Sequence, residues 1–333
     1  MATIKDVSKH AGVSKSTVSR VIMGQGYVSE QKKVLVEAAI AKLGYRPNTM
    51  ARALRSNRSN IIGNVVVDVA SPFYAQMVGG SQAACRAANK SMIICSGFAD
   101  QYDESNAIME LIDRACDGLV LYVENPVSED VAGIIRSIDL PVIMIGGDQD
   151  GIGRAVIKID NFGGAKAAIQ YLLDNGHRDI VHLSGPLAFR DTRARLSGID
   201  TAIAEAGLPK GTVHVVHGEF FEQFGYEETL NLLTSGRKFT AIFAGDDDIA
   251  AGVILALKER GVRIPGDISV MGFDDNFHAR HLTPGLTTIR QPTMAIGQMA
   301  VEMLVSVLKG ETLPETEITI PIELVVRDSV ATI

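Results

Sequence analysis

Apolar and polar residues follow two different patterns along the chain, one before and one after residue 60. Before it, apolar residues recur three or four positions apart, which predicts helices. After it, short apolar runs alternate with longer amphipathic segments, which predicts strands alternating with helices. The sequence therefore predicts a small all-α N-terminal part followed by a larger α/β part with mostly parallel sheets.

The first helical stretch, Ile4 to Met23, predicts two short helices joined by a tight turn. Thr3 is expected to cap the first helix in a capping box with Asp6, and Gly12 to end it. Ser14 is expected to cap the second helix, whose first turns expose hydroxyl groups and cations. Those groups suit phosphates and base edges, so the pair predicts a DNA-binding helix-turn-helix. An ordinary helical hairpin with a polar surface is the plainer alternative.

A third helix is predicted after the turn at residues 24–29, and a basic segment follows it. Apolar residues at helical spacing are expected to close a three-helix core: Val34, Ala38 and Ala41, and likewise Leu35, Ala39 and Leu43. Residues 48–60 contain three arginines and few apolar residues, too few to fold stably alone. They predict either a charged linker or a hinge that becomes helical on DNA.

The α/β part repeats strand–helix units in two similar halves. Two such lobes predict a cleft between them, and ligands of parallel sheets lie at the carboxyl ends of the strands. The sequence thus predicts a ligand site in the second part of the chain.

Charge divides the chain in the same place. The 333 residues include 46% hydrophobic and 21% charged residues, which is typical of soluble globular proteins with two or three domains. Residues 1–60 have eleven Lys or Arg and three Asp or Glu, whereas the remainder has 21 basic and 36 acidic residues. A basic head on an acidic body predicts a polyanionic partner for the head. With no signal-peptide core and no long apolar run, a cytoplasmic protein without a membrane role is expected.

Catalytic and metal-binding patterns are weak. Cys85, Cys95 and Cys116 lack metal-binding spacing and are expected to be buried free thiols. The run Asp246-Asp247-Asp248 is expected to begin a helix rather than bind a metal. The glycines of residues 146–153 do not precede a helix as a dinucleotide loop would, and no GxSxG elbow occurs. The sequence predicts no enzyme, no metal site and no cofactor.

Three motifs together resemble the lactose/galactose repressor family of bacterial transcription regulators. They are TIKDVSKHAGVSKSTVSRVI in the head, YRPNTMARAL in the hinge, and ISVMGFDD with LTTIRQP in the body. The resemblance covers essentially the whole chain and is nearest to galactose-type and β-glucoside-type members. It implies a headpiece at 1–47, a hinge at 48–60, and a two-lobed periplasmic-binding-protein-like body at 61–333. Lobe 1 is expected at about 61–159 plus 291–320, and lobe 2 at about 160–290 plus 321–333.

The resemblance also implies contacts with double-stranded operator DNA. It implies that bases in the major groove are contacted by Lys15, Ser16 and Arg20. It implies that phosphates are contacted by Thr3, Ser14, Thr17, Ser19 and Asn48. Leu54 falls where the family inserts an apolar wedge into the minor groove, and two such heads imply a homodimer on a palindromic operator.

In the body, the resemblance implies a small sugar effector, either a hexose or a β-glucoside. Phe220 is expected against a sugar face, and Arg195 and Asp274 are expected to bind hydroxyl groups. Other residues expected to line the cleft are Phe73, Asp160, Asp246 and Gln291. One departure concerns Gly146-Gly147-Asp148, which stands where the family usually has Asn or Asp followed by Arg. A polar contact is therefore expected to be missing or transferred to Asp148.

The expected function is a dimeric repressor that a sugar inducer releases from its operator. A corepressor that tightens DNA binding is the alternative within the family. Other classes left open are a sugar-binding protein without a DNA role, which the basic head opposes, and a sugar-processing enzyme, which lacks a visible catalytic constellation. Since only Asp328 to Ile333 follow the last predicted strand, no tetramer-forming helix is expected.

Overall fold

The computed structural model describes residues 2–23, 26–45, 58–148 and 150–333. The chain divides into two compact units, Met1–Ser59 and Asn60–Ile333, which we call the headpiece and the body. In its described residues the headpiece has three helices, α1 (Ile4–Ala11), α2 (Lys15–Met23) and α3 (Glu30–Leu43). The predicted hinge lies outside the described residues except for its last three, 58–60.

Local chemistry explains where the first two helices begin and end. The Thr3 backbone N–H donates to the Asp6 carboxylate at 2.8 Å, and the Asp6 backbone N–H donates to the Thr3 hydroxyl at 3.4 Å. Gly12 then ends α1 with a φ of 64°, a conformation that glycine adopts without a Cβ clash. The Ser14 hydroxyl accepts the Thr17 backbone N–H at 3.2 Å and caps α2. The predicted capping box, turn and second cap are all confirmed.

The face of α3 that reaches the core differs from the prediction. Val34 and Leu35 are 56% and 53% exposed, and Ala38 and Ala41 are also exposed. Val36 is instead fully buried. Because α3 has apolar residues on almost every side, spacing alone did not identify the face that packs against α1. The headpiece core consists of Val7, Ala11, Val18, Val36 and Ala39, with Ile40 and Leu43 packed against it.

The first half of the body alternates strands and helices as predicted. Its elements are β1 (Ile61–Val66), α4 (Pro72–Ala87), β2 (Ser91–Ser96), α5 (Gln101–Asp113), β3 (Gly118–Leu121), α6 (Glu129–Ser137), β4 (Val142–Ile145) and β5 (Ala155–Ile159).

The second half continues the alternation and ends with short strands. Its elements are α7 (Asn161–Asp174), β6 (Ile180–Ser184), α8 (Arg190–Glu205), β7 (Val213–His217), α9 (Glu222–Thr234), β8 (Ala241–Ala244), α10 (Asp247–Glu259), β9 (Ser269–Met271), β10 (Thr288–Arg290), α11 (Thr293–Leu308), β11 (Glu317–Ile320) and β12 (Glu323–Val325).

Two parallel sheets organise the body. The first has the order β11-β5-β4-β3-β1-β2, and the second has the order β7-β6-β8-β9. We call these sheets and the helices packed on them lobe 1 and lobe 2. A small antiparallel pair, β10 and β12, packs beside α7. The chain passes between the lobes three times, after β5, between β10 and α11, and between β11 and β12.

Burial on both faces accounts for the apolar strands. β3 and β4 are buried at every residue, as expected for strands covered by helices on both sides of a parallel sheet. Cys85 and Cys116 are buried free thiols, and loss of hydration raises the pKa of each to about 11, whereas Cys95 is only half-buried. None of the helices in the described ranges combines the length and apolar character needed to cross a membrane.

Candidate functional site

A cavity of about 290 Å³ lies in the body, where both lobes contribute the loops that follow their strands. On the lobe 1 side its walls come from the loops after β1, β2 and β3, and on the lobe 2 side from those after β6, β7, β8 and β9. The carboxyl ends of parallel strands therefore meet at this cavity, as the sequence predicted. Its lining residues are Val67, Asp68, Ser71, Phe73, Tyr74, Phe98, Tyr122, Glu124, Phe189, Asp191, Arg195, Glu219, Phe220, Phe221, Asp246 and Asp274.

Aromatic rings form much of the cavity wall. In lobe 1, Tyr74 contacts Phe73 edge-on at 4.9 Å between ring centroids and Tyr122 at 5.1 Å. In lobe 2, Phe189 and Phe220 lie 5.8 Å apart. Such rings offer flat apolar surfaces to a ligand with C–H groups on its faces.

Arg195 is buried in the cavity wall and its donors are directed into lobe 2. Its Nε donates to the Asn161 side chain at 2.8 Å, and its Nη1 donates to the Gly245 carbonyl at 2.5 Å. The guanidinium also lies over the Phe273 ring, 3.8 Å from the centroid. Its Nη2 is 3.8 Å from Asp274 Oδ1. The arginine is therefore held rigidly with one edge beside Asp274.

Three carboxyl groups of the cavity are strongly desolvated. Burial and, to a smaller extent, the neighbouring Asp191 raise the pKa of Glu124 to about 7. Burial also raises the pKa of Asp274 to about 7, against the lowering effects of Arg195 and Gln291. The pKa of Asp246 lies well above its usual range because of burial and the nearby Asp274. Ligand donors or positive charge would stabilise the ionised forms of these groups.

Hydrogen bonds join the two lobes across the back of the cavity. The Tyr122 hydroxyl donates to Asp191 Oδ2 at 2.5 Å. The Arg190 backbone N–H donates to Glu124 Oε2 at 3.0 Å, and its Nη2 donates to the Val123 carbonyl at 2.7 Å. These bonds connect the loop after β3 to the start of α8, so a movement of one lobe against the other must break them.

The predicted effector residues separate into two groups. Five of them line the cavity, namely Phe73, Arg195, Phe220, Asp246 and Asp274. Asp160 and Gln291 do not. Asp160 caps α7 by accepting the Gly163 backbone N–H at 2.8 Å, and Gln291 donates to Asp274 Oδ1 at 2.6 Å. Gln291 therefore orients a cavity residue.

The acidic run Asp246-Asp247-Asp248 lies at the start of helix α10, as the sequence predicted. Asp246 caps α10 by accepting the Ile249 backbone N–H at 2.7 Å. Asp247 accepts the Thr288 hydroxyl at 2.7 Å and the Asn276 backbone N–H at 2.7 Å. In the part of the chain that the structure describes, no group of three His, Cys, Asp or Glu residues could hold a metal ion.

In the headpiece, the three side chains predicted to read bases lie on α2, two in its first turn and Arg20 in its last. Lys15, Ser16 and Arg20 are exposed. The Ser14 hydroxyl lies 2.7 Å from that of Ser16 and 2.9 Å from that of Thr17. Thr3 is exposed with its hydroxyl bonded to Asp6, and Ser19 is half-exposed. Asn48 and Leu54 lie outside the described residues.

Comparison with known proteins identifies both parts of the chain. Residues 3–48 match the model of bacterial regulatory proteins of the lacI family, and residues 169–330 match a periplasmic binding protein-like domain. The chain is 35% identical to the HTH-type transcriptional repressor PurR of Photorhabdus laumondii, over 99% of this chain and 97% of that protein. It is 34% identical to the HTH-type transcriptional regulator GalR of Escherichia coli, over 100% and 96%. The chain belongs to the LacI family of bacterial regulatory proteins.

Solved structures of LacI-family proteins share its architecture. The lac repressor dimer bound to operator and the anti-inducer ONPF matches with a TM-score of 0.87 at 27% identity, over 99% of both chains. A complex of the transcriptional regulator CelR with cellobiose matches with a TM-score of 0.72 at 28% identity, over 99% and 100%. A LacI-family regulator of Enterococcus faecium with bound ribose matches with a TM-score of 0.74 at 27% identity, over 82% and 99%. The chain is thus a transcriptional repressor that binds DNA and has a ligand-binding domain.

The departure from the LacI-family pattern at Gly146-Gly147 has a structural explanation. A Cβ on Gly147 would lie 2.2 Å from Nη1 of Arg190, so the glycine makes room for that guanidinium. The Asp148 carboxylate accepts the backbone N–H groups of Ile152 and Gly153, at 3.2 Å and 2.9 Å. Asp148 is not among the lining residues of the cavity, and Arg190 instead occupies the space beside the two glycines.

Several cavity residues were missed by the sequence interpretation, chiefly Tyr74, Tyr122, Glu124 and Asp191. Tyr122 directly follows the buried strand β3, and Glu124 lies in the loop after it. Their position at the carboxyl end of a strand was the signal in the sequence that could have identified them. The partnership of Tyr122 with Asp191 joins residues 69 positions apart, so no local spacing could reveal it.

Proposed function

We propose that this LacI-family protein binds a palindromic operator as a homodimer and is released from it by a small sugar inducer. The observation that supports this best is the cavity shared by both lobes, which combines aromatic walls with buried hydrogen-bonding groups. Such a combination suits a sugar, whose ring has an apolar C–H face and a rim of hydroxyl groups. Relatives of this fold have been solved with cellobiose and with ribose.

The proposed sugar lies with one face against Phe220 and its hydroxyl groups towards Asp274 and Asp246. Asp274 is held by Gln291, and Asp246 by the start of α10, so both acceptors are fixed before ligand arrives. Fixed acceptors lose little freedom on binding, which favours affinity and selectivity. Arg195 completes the site by keeping one edge of its guanidinium beside Asp274.

On the DNA side, we propose that Lys15, Ser16 and Arg20 read base edges in the major groove. The hydroxyl groups of Thr3, Ser14, Thr17 and Ser19 are proposed to contact phosphates, together with Asn48. Leu54 is proposed to wedge into the minor groove between two hinges. Because each head reads one half-site, two-fold symmetry of the dimer requires a palindromic operator.

The proposed mechanism is linkage between the two ligands. Sugar favours one relative orientation of the lobes, the hinges of the dimer separate, and operator affinity falls. A gel-shift assay with operator DNA, with and without a panel of mono- and disaccharides, tests this scheme. Release of DNA is expected, whereas a sugar that tightens DNA binding would establish a corepressor instead.

The homodimer is tested by light scattering at micromolar concentration. We expect a species of twice 35.6 kDa, and a stable tetramer would contradict the proposal.

Because the proposed partner is the operator DNA of a bacterium, the proposed place of action is the cytoplasm. Specific operator binding after deletion of residues 1–58 would contradict the headpiece role, and turnover of a sugar by the pure protein would favour an enzyme.

Asp274→Ala is expected to leave operator binding intact and to abolish the response to sugar. The substitution removes the acceptor that Gln291 and Arg195 hold in place, so sugar affinity should fall at least tenfold. The gel-shift assay gives both quantities. Asp267→Ala is the matched control, because Asp267 bonds to Arg263 on the exposed surface. Normal release of the Asp274 variant by sugar would contradict the assignment of the site.

A further inference from the structure

The cavity has an excess of acidic groups that a neutral sugar does not require. Six lining residues have carboxyl groups, namely Asp68, Glu124, Asp191, Glu219, Asp246 and Asp274, whereas Arg195 supplies the one guanidinium found among the described lining residues.

That guanidinium is already engaged within the protein. Arg195 gives one donor to Asn161 and another to the Gly245 carbonyl, and its charge lies against the Phe273 ring and beside Asp274. Arg190 lies outside the lining and uses its backbone N–H and guanidinium on Glu124 and on the Val123 carbonyl. The two arginines therefore offset only part of the negative charge that the cavity carboxyl groups can carry.

The three buried carboxyl groups of Glu124, Asp246 and Asp274, and the half-buried one of Asp191, each have an oxygen left for a ligand. One oxygen accepts a protein donor: the Arg190 backbone N–H for Glu124, the Tyr122 hydroxyl for Asp191, the Ile249 backbone N–H for Asp246, and the Gln291 amide for Asp274. Within the described ranges, no hydrogen-bond donor meets Glu124 Oε1, Asp191 Oδ1, Asp246 Oδ2 or Asp274 Oδ2. Four acceptors thus remain unused beside aromatic rings.

The carboxyl groups and the aromatic rings together indicate which ligand chemistry suits the cavity. Aromatic faces attract cations. A carboxylate that is partly removed from water also attracts a cation more strongly than a fully hydrated carboxylate does. A bound cation would stabilise the ionised forms of these carboxyl groups, whereas an anionic ligand would oppose their ionisation. The raised pKa values of Glu124 and Asp274 have the same cause, since burial without enough positive charge disfavours their ionised forms.

We propose that the effector is an amino sugar, in which a hydroxylated ring bears a protonated amine that binds among the cavity carboxylates. The inference rests on the proposed function, because it specifies the ligand of the same cavity. It also predicts that phosphorylated and other anionic sugars are excluded.

The test compares sugars that differ in charge at one position. Isothermal titration of the full-length protein at low ionic strength uses cellobiose, the corresponding β-1,4 disaccharide of glucosamine, and its N-acetylated form, with glucose, glucosamine and glucosamine 6-phosphate as a monosaccharide series. In at least one series, the free amine is expected to bind at least tenfold more tightly than its uncharged counterparts. The proposal is overturned if neither free amine binds, or if an uncharged or anionic sugar binds as tightly.

Variants separate charge from shape. Glu124→Gln keeps the size of the side chain and an oxygen for Arg190 but removes one negative charge. It should reduce the preference for the amine severalfold, while Glu129→Gln, on the exposed surface of α6, should leave that preference unchanged. An unchanged preference in Glu124→Gln would also overturn the proposal.

The experiments distinguish a failure of the amino-sugar proposal from a failure of the proposed repressor function. If a neutral sugar releases operator DNA and binds at least as tightly as the free amines, the sugar-responsive repressor stands and the amino-sugar inference fails. If operator DNA is not bound at all, the proposed function fails whatever the titrations show.

Discussion

Arg190 shows how a single residue changes the meaning of a sequence motif. The two glycines at 146–147 suggested a missing ligand contact, but the structure fills the space beside them with a guanidinium from the other lobe. That guanidinium donates to the Val123 carbonyl, and the backbone N–H of the same residue donates to Glu124. The departure from the family pattern therefore affects contact between the lobes as well as the cavity lining.

Gly147→Ala should be less favourable than an unhindered Gly→Ala change by about 1 kcal/mol, because the new methyl group makes the end of the Arg190 side chain shift and weakens its hydrogen bond to the Val123 carbonyl. A Cβ at this position would meet Arg190 Nη1 at 2.2 Å. Urea unfolding of the full chain measures the change. Gly133→Ala is the control, because a Cβ at position 133 would meet nothing within 4 Å and Gly133 lies inside α6. The control should gain about 0.5–1 kcal/mol, and equal effects of the two substitutions would refute the role assigned to Arg190.

The raised pKa of Glu124 gives a dependence of stability on pH. Burial and Asp191 hold this pKa at about 7, above the value of 4.5 for a free side chain, whereas Arg190 opposes the rise and Glu104 adds to it. The folded protein thus keeps a proton that the unfolded chain has lost. This group's contribution is fully present below about pH 4.5 and is lost as the pH rises through about 7.

Glu124→Gln removes that titration, so the variant should gain stability relative to the unmodified protein as the pH rises from about 4.5 to 7. Thermal unfolding of both proteins without ligand, across that range, gives the difference directly. A difference that stays constant with pH would show that Glu124 titrates alike in the folded and unfolded chains.

At the scale of elements, the sequence predicted most helices and strands because their signals are local. Caps such as Thr3 and Ser14, turns such as Gly12, and apolar runs such as β3 depend on neighbours a few positions away. The buried face of α3 was predicted wrongly at Val34 and Leu35. The helix has its own apolar residues on almost every side, and only its packing against α1 decides which side is buried. Phe220 and Asp274 were expected at the cavity from the family resemblance, and both line it in loops that follow parallel strands, whereas the Tyr122–Asp191 contact depends on how the two lobes pack.

Helix α2 provides a prediction about DNA recognition. Arg20→Ala should weaken operator binding about 5- to 150-fold and binding to random DNA much less, because a lost base contact costs about 1–3 kcal/mol only where the correct base is present. Gel shifts with both DNAs measure the ratio. Lys42→Ala removes one exposed positive charge from the last turn of α3 and serves as the control. Equal weakening on both DNAs by Arg20→Ala would assign Arg20 to the phosphates.

For the whole molecule, the charge pattern separates two kinds of ligand. The headpiece is basic and the body is acidic, so the body repels DNA phosphates, and the amino-sugar proposal adds that the cavity disfavours anionic small molecules. One chain thus keeps its two ligands in different units, and communication between them must pass through the structure. Hydrogen bonds such as Tyr122–Asp191 join the two lobes, and we propose that they change when the lobes move.

Reciprocal coupling is the prediction that tests this communication. If sugar lowers operator affinity by some factor, operator must lower sugar affinity by the same factor, and couplings of this type are typically about 5- to 150-fold. Sugar titrations with no DNA, with operator DNA and with random DNA give one factor, and operator titrations with and without sugar give the other. Asp274→Ala should reduce both factors to about one while leaving operator affinity intact. Two clearly unequal factors in the unmodified protein would mean that sugar and operator act on different forms of it, such as dimer and monomer, rather than on one linked equilibrium.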